Sequence, residues 1–147
     1  MKKMNNKGFS LVELIVVVLI MAIIAVALAP QVMRWVENSR KSNDIETYNS
    51  LVGAINTAGT NEDVITQVKN AGASGIVVSF SKASGVSGLT GHLATACQQT
   101  LPELQTPANV KVTSSDWAST TFTITVKFSA GNGIQVIKTN APVKDFS

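Results

Sequence analysis

Leu14–Ala29 reads LIVVVLIMAIIAVALA, a run with no charged or strongly polar side chain. Extended back to Phe9, the stretch covers 21 residues and is interrupted only by Ser10 and Glu13. As an α-helix rising about 1.5 Å per residue it is roughly 31 Å long, close to the hydrocarbon thickness of a bilayer. Lys2, Lys3 and Lys7 precede it and few charges follow closely, which favours a cytoplasmic N-terminus with the remainder on the far side.

The run also explains the composition. The 147-residue chain is 45% apolar but only 14% charged, against about 25% charged in an average domain. Low charge with ample hydrophobicity excludes intrinsic disorder of the whole. Cys97 is the only cysteine, which excludes a disulfide-stapled miniprotein. A purely cytoplasmic soluble domain is disfavoured. The net charge of +3 belongs to the tail: without Lys2, Lys3 and Lys7 the chain has nine basic against nine acidic side chains. No basic binding face remains, so nucleic acid is not expected as a main partner.

On pattern alone two ordinary readings of the N-terminus stand level. One is a secretory signal peptide, with Ala27-Leu28-Ala29 as a small-x-small cleavage pattern. Pro30 directly after that bond and Glu13 within the apolar stretch count against it. The other is a plain single-pass anchor, in which Glu13 costs about 2.5–3.5 kcal/mol at the bilayer centre and less near its edge.

A local string separates them. Lys7-Gly8-Phe9-Ser10-Leu11-Val12-Glu13-Leu14 closely resembles the processing site of type IV prepilins, with a basic leader, glycine, an aromatic residue and glutamate fifth after the cut. Pro30 falls twenty-second after that cut, where many such pilins carry proline. The resemblance covers about the first 50 residues and is shared by pilins and by the pseudopilins of secretion and DNA-uptake machines. It implies that prepilin peptidase cuts between Gly8 and Phe9 and that the same enzyme methylates the new Phe9 amine. A residue without a side chain at Gly8 suits a tight extended fit in such a peptidase. It also implies that Glu13 pairs with the freed amine of a neighbouring subunit during assembly. An ammonium partner offsets the desolvation of a carboxylate, and no basic side chain lies between Gly8 and Arg34. The alternative for Glu13 is simple snorkelling to the headgroups.

Pro30 deletes one helical hydrogen bond and predicts a kink near Leu28–Pro30. Beyond it Val32, Trp35 and Val36 share one side, and Ile45, Tyr48, Val52 and Ile55 continue the stripe, which predicts core contacts with a globular head. Glu37–Asp44 (ENSRKSND) is polar all round and reads as a solvated stretch of helix. Gly59 is placed to end the helix in a left-handed conformation. The expected organisation is a leader at 1–8, a membrane and filament-core helix at 9–29, an amphipathic continuation at 30–59 and a head at 60–147.

Within the head, Thr60-Asn61-Glu62-Asp63 reads as a cap that opens a short helix ending near Gly72. Ile76–Phe80 is a short strand, Ser81–Gly91 a loop, and Leu93–Leu101 a helix stopped by Pro102. In Thr121–Phe128, Phe122, Ile124, Val126 and Phe128 alternate with threonines and Lys127, giving a strand with one apolar face. Ala130-Gly131-Asn132-Gly133 turns it into a hairpin with Ile134–Lys138, and Asn109–Thr113 is expected as a further strand. The fold class is α+β: a long N-terminal helix packed on a C-terminal antiparallel sheet of three or four strands at about 109–139. That is also the pilin fold implied by the resemblance.

No catalytic residue, metal site or cofactor is expected. His92 and Cys97 are single residues of their types with no third group to orient them. A structural zinc site needs more ligands, the acidic residues follow no calcium-loop pattern, and Ser81–Ser87 lacks a phosphate-loop lysine. The lone cysteine departs from the many pilins that close a C-terminal loop with two. The resemblance therefore implies a structural subunit whose partners are copies of itself, prepilin peptidase, an assembly platform with its ATPase, and the membrane before assembly. The precursor would be a single-pass cytoplasmic membrane protein and the product an extracellular filament. The alternative is a pseudopilin or minor pilin of type II secretion or competence.

Overall fold

A computed structural model describes residues 8–143. The leader residues 1–7 and the last four residues lie outside the described part. Two compact units divide the chain, the first ending at Val36 and the second beginning at Glu37. Helix α1 (Leu11–Ala58) belongs to both and runs as unbroken α-helix through Pro30. In the first unit it carries nothing but exposed side chains.

The second unit continues with α2 (Glu62–Asn70), β1 (Ile76–Ser81), β2 (Gly85–Ser87), α3 (Gly91–Thr100), β3 (Thr121–Ser129) and β4 (Gly133–Asn140). Short 3-10 turns lie at Gly72–Ser74, Pro102–Gln105 and Pro107–Asn109. The strands form one antiparallel sheet in the order β2-β1-β3-β4. The architecture is the expected α+β arrangement.

The β3 alternation works as read. Phe122, Ile124 and Val126 are buried, while Thr121 is exposed and Thr123 and Thr125 are half-buried. They meet Val78 and Phe80 of β1, and Tyr48, Leu51, Val52, Ala54, Ile55 and Ala58 of α1, in one core completed by Val64, Val68, Leu93 and Cys97. Tyr48 stacks edge-on against Phe122 at 6.2 Å and donates its hydroxyl to the Thr123 carbonyl at 3.3 Å. That bond gives the buried phenol a partner, without which its burial would be unfavourable. The hairpin turn closes with Asn132 N–H donating to the Ser129 carbonyl at 3.2 Å, and Gly133, the first residue of β4, takes the left-handed conformation at φ +70°.

Several local expectations need correction. Val32, Trp35 and Val36 are not core residues: Trp35 is 64% exposed, and the buried stripe starts only at Lys41. Helical spacing marks a shared face but not what covers it. Gly59 does not adopt the left-handed conformation. Its N–H still bonds to Ile55, and the helix stops because Thr60 Oγ1 donates to the Thr57 carbonyl at 2.8 Å and Asn61 caps α2. The absence of a side chain at Gly59 instead leaves room for Ile134 of β4, whose Cγ2 would lie 3.2 Å from a Cβ there.

Asn109–Thr113 is not a strand. Pro107–Asn109 is a 3-10 turn, and the amide of Thr113 goes to the Asp44 carboxylate and not to a neighbouring strand. The Ser81–Gly91 loop also contains β2, which pairs Val86 with Phe80. Gly88, at φ +85°, is required there because an added Cβ would sit 2.1 Å from the Val77 carbonyl oxygen.

Candidate processing and assembly segment

Gly8, Phe9 and Ser10 precede α1 without regular secondary structure, and all three are exposed. Nothing lies within 4 Å of where a Cβ on Gly8 would stand, and Phe9 is 90% exposed. The Gly8–Phe9 bond is therefore open to a protease that binds an extended chain.

Ser10 is the residue before the first helical turn, and Glu13 is the third residue of the helix. Glu13 Oε2 accepts the Ser10 N–H at 2.9 Å, while the Ser10 carbonyl accepts the Leu14 N–H at 3.2 Å. This is the glutamate half of a capping box, in which a carboxylate at the third position satisfies one of the unpaired amides of a helix start. The positive end of the helix dipole favours the negative charge there. Ser-x-x-Glu was legible in the string, although the sequence reading sought the partner of Glu13 only in an amine or the headgroups. In the described chain that partner is a backbone amide three residues away.

From Leu11 to Leu28 the large apolar side chains are 48–78% exposed. The segment is long and apolar enough to cross a membrane, and none of its most apolar window is buried within the chain. Pro30 lies inside α1 near the end of this surface. Gly8, Phe9, Glu13 and Pro30 thus fall on one continuous segment ahead of the head.

A second polar arrangement, which the sequence reading missed, lies where ENSRKSND was expected to be solvated. Asp44 is fully buried and Lys41 is 7% exposed. Asp44 Oδ1 accepts the Thr113 N–H and hydroxyl, and Oδ2 the Ser114 N–H, each at 2.8 Å. About two helical turns toward the N-terminus, Glu37 Oε1 accepts the Ser114 hydroxyl and the Ser115 and Asp116 amides. Lys41 Nζ pairs with Asp116 at 2.6 Å. Glu37, Lys41 and Asp44 repeat at helical spacing and fasten the Thr113–Asp116 loop to α1. Burial works to raise the pKa of Glu37, but the Ser114 hydroxyl, the Asp116 and Ser115 amides and the Arg40 charge outweigh it and lower it to about 2. No sequence pattern announces this arrangement, because its donors are mainly backbone amides of a distant loop.

His92 and Cys97 are not brought into a catalytic pair. Cys97 is fully buried in the core, and burial pushes its thiol up to about 11. His92 is exposed beside Asp63, Gln67 and Asn70. The Gln67 side chain bridges the start of α3, donating to the Thr90 carbonyl at 2.8 Å and accepting the Leu93 amide at 2.9 Å. A shallow cleft of about 430 Å³ between α1 and the Leu101–Val110 segment is lined by Asn43, Glu46, Thr47 and Glu103 among others. Among the described residues no group of three or more His, Cys, Asp or Glu side chains is placed to hold a metal.

Residues 3–29 match the family model of the prokaryotic N-terminal methylation motif. This motif is the class III signal of type IV pilins and pseudopilins. Searches of curated proteins and of solved structures each gave no match. The motif supports a pilin-like precursor, pilin or pseudopilin, and the apolar helix fits a single-pass membrane anchor.

Proposed function

We propose that this precursor is a type IV pilin, a structural subunit that polymerises into a surface filament after its leader is removed. The observation that carries the reading is the methylation motif at residues 3–29, which runs into the part of α1 whose large apolar side chains, from Leu11 to Leu28, are exposed. Hydrolysis of the Gly8–Phe9 bond by prepilin peptidase releases the lysine-bearing leader and leaves the helix attached, with a free amine on Phe9. The peptidase then methylates that amine from a sulfonium-type methyl donor: the amine nitrogen bonds the methyl carbon, the donor leaves as a thioether, and the amine releases a proton. Loss of three lysines also removes the charge that holds the tail at the anionic cytoplasmic leaflet.

In this reading Glu13 exchanges partners. The Ser10 amide holds its carboxylate in the precursor, and the Phe9 ammonium of a neighbouring copy holds it in the filament. The second contact is charge-assisted and therefore stronger than the first outside water. Apolar side chains of 14–29 pack against copies of themselves in the filament core, Pro30 supplies a local kink, and the heads form the outer surface. Lipid already shields these side chains, so transfer into the filament needs an assembly platform driven by a cytoplasmic ATPase. Adhesion and motility are functions such a filament serves.

The motif is shared with pseudopilins, which makes a minor or piston-like subunit of secretion or DNA uptake the second reading. Filament abundance and genomic neighbours separate the two. The assembly claim is tested with Glu13→Ala in cells that assemble the wild-type chain. The variant is expected to insert and to be cut at Gly8, yet to give few or no filaments. Normal filament yield would remove the pairing role of Glu13.

A further inference from the structure

The apolar surface of α1 does not end at Ala29. Val32, Met33, Trp35 and Val36 are 48%, 73%, 64% and 44% exposed. The first charged side chains on either side of the apolar segment are Glu13 and Arg34. Between them Leu14–Met33 holds 20 residues without a charge, and at about 1.5 Å per residue these span roughly 30 Å. That equals the hydrocarbon thickness of a bilayer. Arg34 and Trp35 stand together at the far end.

We infer that Arg34 and Trp35 form the outer interfacial anchor of the precursor, so that the bilayer frames Leu14–Met33 rather than Phe9–Ala29. This rests on the membrane reading of the N-terminal helix and goes beyond it by fixing depth. Indole has an apolar body and one N–H donor, which suits the headgroup layer, and an arginine on a long stem reaches phosphate from the same level.

The two frames differ measurably. If Phe9–Ala29 filled the hydrocarbon, Trp35 would stand about 9 Å outside it, beyond a headgroup layer roughly 5–7 Å deep. Framed by Leu14–Met33, Trp35 lies about 3 Å outside, within that layer. The same frame sets Glu13 at the inner interface, where its charge is tolerated, and leaves Gly8 and Phe9 on the cytoplasmic side of the hydrocarbon. The occupant of the Val32–Val36 face is therefore lipid. Its apolar residues resume the membrane surface after Pro30 and Gln31, and Arg34 and Trp35 among them are residue types that a headgroup layer selects.

The experiment uses the full-length precursor in vesicles of phosphatidylethanolamine and phosphatidylglycerol, with Trp117→Phe leaving Trp35 as the single indole; Trp117→Tyr provides a second background. Bromine is carried near the headgroup end of the lipid chains or near their terminal methyls. Ala22→Trp with Trp35→Phe in the same background marks the bilayer centre. Trp35 is expected to emit at intermediate wavelength and to be quenched about twofold or more better by shallow than by deep bromine, with the reverse order for Trp at 22. Quenching at 22 with water-like, unquenched Trp35 would overturn the anchor while leaving the span intact. Absence of quenching at both, with no flotation of the protein with the vesicles, would overturn the membrane reading itself. Trp35 emission that changes with the protein-to-lipid ratio would assign the face to a second copy and refute the lipid anchor.

Discussion

Replacing Asp44 by alanine should loosen the attachment of the Thr113–Asp116 loop to α1. The wild-type carboxylate is fully buried and accepts three hydrogen bonds, each at 2.8 Å, from Thr113 N–H, Thr113 Oγ1 and Ser114 N–H. These donors do not suffer equally. Ser114 is fully buried, so its amide loses its partner without gaining water, which costs about 2 kcal/mol. Thr113 is exposed, so its two donors recover most of their bonding from solvent and lose about 0.5 kcal/mol each. The total is about 3 kcal/mol, or about 12 °C or more in melting temperature for a domain of this size. The assay is thermal unfolding of the full chain in detergent, followed by Trp117 fluorescence, because Trp117 packs edge-on against the core ring of Phe122 at 5.3 Å. Glu46→Ala, an exposed change on the same helix, should stay within about 0.5 kcal/mol of wild type. If Asp44→Ala melted together with Glu46→Ala, the loop would not depend on this carboxylate and the argument would be wrong.

Glu37 should contribute an acid-sensitive part of the stability. Its folded pKa is depressed to about 2 from an ordinary 4.5, so its stabilisation is complete above about pH 4.5 and fades as pH falls toward 2. Glu37→Gln should flatten the stability profile in that window, as read by urea midpoints between pH 2 and pH 6; an unchanged slope would contradict the hydrogen-bonded carboxylate. Cys97, buried and with its thiol raised to about 11, should resist alkylation by iodoacetamide at pH 8 in the native chain and react fully in urea. Rapid native labelling would mean that α3 opens far more readily than its packing implies.

The sequence carried the fold where one residue property decides the structure. The β3 alternation works because each threonine and each apolar residue has only one suitable side of a sheet, and Asn61 caps α2 through its own short side chain at 2.9 Å from the Asp63 amide. The motif around Gly8 was equally plain because its features are local in the chain. Interpretation failed where the partner is distant. Trp35 looked like core by its spacing, yet spacing marks a shared face and not what covers it, and Trp35 is exposed. Glu37, Lys41 and Asp44 looked solvated because their partners at 113–116 lie about seventy residues away. Asn109–Thr113 looked like a strand, but the Asn109 and Val110 amides close a 3-10 turn, Val112 makes a single bond to the Ser81 carbonyl, and the Thr113 amide goes to the Asp44 side chain of α1. Glu13 lay between these cases: its partner was three residues away and written in the string as a capping box.

The central claim, that the chain loses its lysine leader and keeps its apolar helix, is tested most directly by the N-terminal sequence and intact mass of the mature protein from cells that process it. The account predicts a chain that begins at Phe9 and carries one added methyl group on its amine, with Gly8→Arg remaining at precursor mass. A mature chain beginning at Pro30 would mean that the helix had been discarded as a secretory signal, and the account would fail.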